Sequence, residues 1–243
     1  MFLHCNLAVL MLVLMLHGQV HTGEIFGGHE VVPHSRPYMV LLECITHNYR
    51  TKHCGGILLS KDFVMTAAHC KAKSYNAILG VQNFLNKDEK RQNISVEQAF
   101  IHPNYTQNVN LTNDMMLLKL NSRVELNNNV KPVMLADQCG DFVPKSCIVS
   151  GWGQAQKENT MMSVTLMEVN VTLIDDEQCP EDKYCTKGEN GPRKGDSGGP
   201  LVCEDGKVYG VVSAEFSRTP YHLYTYTKIP DNRKWIDGIM THY

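Results

Sequence analysis

The chain has 243 residues, 43% hydrophobic and 20% charged, with a formal net charge of −2. That length supplies one large all-β unit or two small domains. A near-neutral balance with no Lys/Arg run longer than a pair leaves nucleic-acid binding without an electrostatic footprint.

The first element is apolar, from Leu7 to Leu16, followed by Gly18 and Val20-His21-Thr22. Ten apolar residues are too few to cross a bilayer. They match the core of a secretory signal over residues 1–22, with cleavage after Thr22, although Met1–Asn6 lacks the usual positive charge. Beyond residue 25 the pattern is short and β-like. Candidate strands are Tyr38–Ile45, Gly56–Leu59, Phe63–Thr66, Ala77–Leu79, Ile94–Phe100 and Met115–Leu120, then Ser146–Ser150, Ser163–Leu173, Pro200–Cys203, Val208–Ser213 and Leu223–Thr227. Gly, Asn, Asp and Pro punctuate them, which predicts antiparallel sheet with tight turns. Arg123–Cys139, holding Asn127-Asn128-Asn129 and Pro132, is the best boundary between two β units. The chain closes differently: Trp235, Ile236, Ile239, Met240 and Tyr243 share one helical face, with Asp231 or Asn232 placed to cap it. Lys87–Arg91 reads as a solvated loop, Met115-Met116 and Met161-Met162 as packing residues, and Trp152 as packing.

Cysteine usage agrees with export. Cys5 leaves with the signal, and the eight that remain suit disulfides in an oxidising compartment; none has zinc-site spacing. Four N-x-Ser/Thr sequons, at Asn93, Asn104, Asn110 and Asn170, are glycosylation candidates.

The chemistry concentrates in three places. Gly195-Asp196-Ser197-Gly198-Gly199-Pro200 puts a serine in a glycine-rich turn whose N–H groups can converge on an anion. A serine hydroxyl needs a base beside it and donors for the oxyanion formed on attack. Thr66-Ala67-Ala68-His69-Cys70 supplies the base, and Asn113-Asp114 the acid that orients it. The chain order His69, Asp114, Ser197 differs from that of subtilisin-like and α/β-hydrolase enzymes. These residues read as a Ser/His/Asp peptidase.

The chain resembles the trypsin/chymotrypsin family, and within it the granzyme and mast-cell protease group. The resemblance rests on Ile25-Phe26-Gly27-Gly28-His29-Glu30, Pro33–Met39, Cys54-Gly55-Gly56, Thr66–Cys70, Asn113–Leu118, Gly151-Trp152-Gly153 and Gly195–Pro200. It implies an all-β fold of two six-stranded antiparallel β-barrels, about 25–135 and 136–230, with a C-terminal α-helix at 231–243 and the active site between barrels. It implies a serine endopeptidase working through an acyl-enzyme on Ser197, with His69 as base, Asp114 as its orienter, and the N–H groups of Gly195 and Ser197 as oxyanion hole. No cofactor or metal is expected. Gly23-Glu24 resembles the granzyme activation dipeptide, removed by a dipeptidyl peptidase so that the Ile25 ammonium can pair with Asp196. Disulfides Cys54–Cys70, Cys147–Cys203 and Cys179–Cys185 follow from the same resemblance; Cys44 and Cys139 could bond each other, pair between chains or stay free.

The resemblance further places a primary pocket at Gly191, Pro192, Ser213, Glu215 and Tyr224, with Gly191 on its floor. Glycine there removes the usual cause of trypsin-like cleavage. Three outcomes follow: a shallow pocket of restricted specificity, a Glu215 that recruits basic side chains, or a blocked pocket in a binding or signalling protein with little turnover. The implied partners are a polypeptide substrate, the activating dipeptidyl peptidase and a serpin-type inhibitor, with no nucleic acid and no membrane span. The implied location is secreted or in a secretory granule.

Overall fold

The structure, a computed structural model, describes residues 27–108, 110–138, 144–156, 159–218 and 221–243. In chain order the strands are β1 (His29–Glu30), β2 (Met39–Ile45), β3 (Thr51–Leu58), β4 (Phe63–Thr66), β5 (Ser74–Leu79), β6 (Gln92–Ile101) and β7 (Met116–Leu120). Then come β8 (Ser146–Gly151), β9 (Gln154–Gln156), β10 (Asn159–Met162), β11 (Met167–Ile174), β12 (Lys183–Gly188), β13 (Pro200–Cys203), β14 (Val208–Arg218) and β15 (Tyr221–Lys228), followed by helix α1 (Arg233–His242).

Strands β2-β3-β4-β7-β6-β5 close one six-stranded barrel. Strands β11-β12-β15-β14-β13-β8 close a second through the β11–β8 pairing, with β1 added at β11. Every strand pairing in both barrels is antiparallel. Side-chain alternation along β2 shows why the barrels dock. Val40, Leu42 and Cys44 point into the first barrel's core, whereas Met39 and Leu41 join Trp152 and Leu166 of the second half in a separate buried cluster. A strand buried on both faces therefore reads as a continuous apolar run. The second barrel packs around Val149, Val169, Leu201 and Tyr226. Helix α1 clasps the first barrel: Ile236 is fully buried, Trp235 meets the His102 ring edge-on at 4.8 Å, and Tyr243 meets Phe100 at 4.6 Å.

Several expectations need correction. Asn232 does not cap α1 with its side chain, and neither does Asp231. A 3-10 turn over Pro230–Asn232 precedes the helix, and there Asn232 Nδ2 donates back to the Lys228 carbonyl. The predicted strand Ser163–Leu173 breaks at its start, where Ser163 Oγ and Thr165 bond each other in a turn. Strand β12 went unseen because it begins with a charged residue, Lys183, that points inward. Strands β14 and β15 run longer than predicted, since they pair with each other as far as Arg218 and Tyr221. The stretch Lys87–Arg91 is not wholly solvated: the Glu89 carboxylate turns inward to accept the N–H groups of Gln82 and Asn83. Met115 and Met116 are fully buried, while Met161 is exposed.

Among the described residues three disulfides are formed: Cys54–Cys70, Cys147–Cys203 and Cys179–Cys185. Cys44 carries a free thiol in the first barrel's core, and burial pushes it up to about 11. Cys139 lies outside the described residues, as do Glu24 and Ile25.

Candidate active site

His69 sits in a single 3-10 turn, Ala68–Cys70, at the end of β4. Disulfide Cys54–Cys70 pins that turn to β3. Asp114 enters from the other side, just before β7. Its carboxylate is fully buried and meets the histidine twice, at the backbone N (2.8 Å to Oδ1) and at Nδ1 (2.7 Å to Oδ2). Burial alone would raise the Asp114 carboxyl. The hydrogen bonds and charge of His69, with a 2.7 Å bond donated by Ser213 Oγ, outweigh it and hold the group below its ordinary value. Asp114 is therefore ionised at neutral pH, and the imidazole donates from Nδ1, leaving Nε2 as the basic nitrogen.

The loop that carries Ser197 packs directly on the first barrel, beside the His69 turn. The Ser197 carbonyl accepts the Gly55 N–H at 2.7 Å, and Cys70 Sγ lies 3.8 Å from the same oxygen. Gly198 makes the approach possible: a Cβ there would lie 2.1 Å from Thr66 Oγ1 and 2.5 Å from the Gly55 carbonyl, and φ is +84°. Gly195 is also left-handed, at φ +105°. The Lys194 carbonyl accepts from Gln154 N, so the Gly195 N–H of the same trans peptide faces the opposite way. Among the described residues, neither the Gly195 nor the Ser197 N–H meets an intramolecular acceptor.

Asp196 points inward, away from the cleft, and is fully buried. It accepts the N–H of Gly153 at 2.7 Å and of Arg193 at 2.8 Å. Burial pushes its carboxyl up to about 6, against the lowering effect of those two donors.

Beside Ser197 lies a cavity of about 210 Å³, lined by Pro192, Arg193, Lys194, Val212, Ser213, Ala214 and Glu215. Of the expected pocket residues, Pro192, Ser213 and Glu215 line this cavity. Gly191 and Tyr224 do not line it. Tyr224 is fully buried with its ring against Gly191, where an added Cβ would come within 2.5 Å, and its hydroxyl donates to the Glu189 carbonyl at 3.0 Å. The expected glycine floor is thus covered by a phenol. Glu215 is already engaged, by Arg193 Nη1 at 2.5 Å and His222 Nδ1 at 2.7 Å. Its charge is compensated within the protein rather than held for a basic substrate. A larger groove, about 630 Å³ and bordered by Arg36, Asn170 and Glu204, contains neither His69 nor Ser197, whereas the smaller cavity borders Ser197. All four sequon asparagines are exposed.

Two residues behind Asp114 escaped the sequence reading. Thr227 Oγ1 donates to the Asp114 carbonyl at 3.1 Å, and Lys183 is buried against Thr227 and Ser213. Ser213, a pocket residue by resemblance, also donates to the Asp114 carboxylate. No local signal marks these partners, since they come from strands far along the chain.

The family profile for trypsin matches residues 25–236. The chain is 36% identical to granzyme E of Mus musculus, over 96% of this chain and 97% of that protein. It is 38% identical to the chymase of Papio hamadryas, over 95% and 96%. It superposes on neuropsin, a serine protease expressed in the limbic system of mouse brain, with a TM-score of 0.77 at 32% identity, covering 89% of this chain and all of that one.

Proposed function

The chain belongs to the trypsin family of serine proteases, related to granzymes and chymases; on that premise we propose that it is an exported endopeptidase of restricted specificity, stored as an inactive precursor. The observation that carries the peptidase chemistry is the 2.7 Å bond from His69 Nδ1 to a buried, ionised Asp114, next to the loop that holds Ser197.

In this reading His69 Nε2 takes the Ser197 proton as Oγ attacks the scissile carbonyl, and later protonates the leaving amine. Asp114 fixes the tautomer and stabilises the imidazolium. The N–H groups of Gly195 and Ser197 hold the oxyanion, each such donor being worth about 3–4 kcal/mol in the transition state. Residues 1–22 direct export to the exterior or a secretory granule. Residues 23–24 are the activation dipeptide, and 25–243 form the protease domain. A dipeptidyl peptidase removes Gly23-Glu24, and the freed Ile25 ammonium neutralises Asp196, ordering the loop with Gly195. A serpin-type inhibitor is the expected control on the mature enzyme.

The specificity reading rests on the phenol over Gly191 and on the pairing of Glu215. Together they favour small side chains at the residue before the scissile bond and disfavour lysine or arginine. The covered floor also gives footing to a second reading, a protease-fold binding protein with little turnover. Fluorophosphonate labelling decides between them. The processed wild-type protein should acylate and Ser197→Ala should not, while both unfold at the same denaturant concentration. Failure of the wild type to label, or labelling that survives in Ser197→Ala, would refute the assignment.

A further inference from the structure

Lys183 opens β12 and is fully buried at the side-chain level, directly behind Asp114. Its Nζ reaches three acceptors: the Leu111 carbonyl at 2.8 Å, Thr227 Oγ1 at 2.8 Å and Ser213 Oγ at 3.3 Å. Both hydroxyls spend their single proton on Asp114, Ser213 on Oδ2 and Thr227 on the main-chain carbonyl. Each can therefore only accept from Lys183. Three acceptors with no proton to offer match the three N–H bonds of an ammonium, and a neutral amine would leave one unsatisfied. A charged amine this deep also needs a counter-charge, and Asp182 Oδ2 supplies one at 3.4 Å.

We propose that Lys183 is a positioning residue for the His69–Asp114 couple: its ammonium, linked to the carboxylate through Ser213, weakens the pull of Asp114 on the imidazole proton and anchors the loop that delivers Asp114. This rests on the peptidase reading above. The anchoring half follows from the same contacts. Leu111 holds a left-handed backbone, φ +48°, that a bulky residue rarely adopts, and its carbonyl is the one Lys183 binds. Asp182 Oδ2 accepts the N–H of Asn113, also left-handed at φ +50°. The start of β12, in the second barrel, thus clamps the segment of the first barrel on which Asp114 rides.

The electrostatic half has a definite sign. A cation behind the carboxylate makes imidazolium less stable, so the base is free at lower pH. Among the described residues, three other groups face this chain of bonds. Asp182 is beside Lys183, Tyr105 approaches Asp114 from the first barrel, and Lys52 Nζ donates to the His69 carbonyl at 3.1 Å. Strands β14 and β15 present the Ser213 and Thr227 hydroxyls. With an effective dielectric of about 20 and part of the field offset by Asp182, loss of the ammonium moves the imidazole titration up by roughly 0.5–1 pH unit.

The test is an NMR titration of histidine-labelled processed protein, with the His69 signal assigned by its loss in His69→Ala, beside the pH profile of kcat/KM. Lys183→Gln keeps an amide donor and removes the charge. It should raise both the imidazole midpoint and the acid limb of the profile by that amount, and Lys183→Arg should restore them. A midpoint in Lys183→Gln unchanged from wild type, or lowered, overturns the proposal. If Lys183→Gln does not fold, Lys183→Met, which removes the same charge from a side chain of similar length, carries the test with the same sign, and an unchanged or lowered midpoint overturns the proposal. The NMR reading needs no turnover, so a wild-type protein that fails to hydrolyse or label refutes the peptidase function separately.

Discussion

Asp196→Asn in the unprocessed chain isolates the cost of burying a carboxylate that has only backbone donors for company among the described residues. Burial moves the Asp196 carboxyl from 3.8 up to about 6. A group whose folded-state value is raised this way favours folding in its protonated form. Its contribution is complete below pH 3.8, declines as the pH rises, and is gone once the pH passes about 6. A shift of that size corresponds to about 3 kcal/mol, lost at about 1.4 kcal/mol per pH unit. Urea unfolding of the unprocessed wild type and of Asp196→Asn between pH 4 and pH 7 measures it. The stability difference, wild type minus variant, should fall across pH 4 to 6 and level off above. Removing residues 1–24 should reverse the trend, because the Ile25 ammonium then favours the ionised carboxylate. A difference that stays flat in the unprocessed chain would refute the buried-charge argument. The same slope before and after processing would refute the Ile25–Asp196 pairing.

Other outcomes follow from single contacts. Tyr224→Gly uncovers Gly191 and should broaden a peptide-library profile towards larger side chains, while costing about 3–5 kcal/mol of stability for the lost ring; an unchanged profile removes Tyr224 from any part in specificity. Replacing Cys54 and Cys70 together by Ala opens a loop of separation 16 and should cost about 3 kcal/mol. Denaturant unfolding checks that value, and a loss below about 1 kcal/mol would show that strand pairing alone holds the His69 turn.

Much of the fold was legible because its signals are local. β-Branched and apolar runs such as Phe63–Thr66 and Met116–Leu120 could be placed from a few residues each, with turn residues between them. The helix was legible from its spacing, but not the cap, because the preceding 3-10 turn redirected Asn232. Strand β12 was missed since a lysine at an inward position contradicts every local rule. The hydroxyls of β14 and β15, with the Leu111 carbonyl and the Asp182 carboxylate, make that position tenable.

The sequence by itself settled which groups the chain owns and their order: His69, Asp114 and Ser197, each in a run with its own short-range logic of turn, glycine and cysteine. Tertiary structure alone decided what surrounds them. Tyr224 covers Gly191, Glu215 is held by Arg193 and His222, and Lys183 stands behind Asp114. Each of these depends on strand register between segments tens of residues apart. A one-residue slip turns every such side chain to the other face, and no local pattern records which face was chosen.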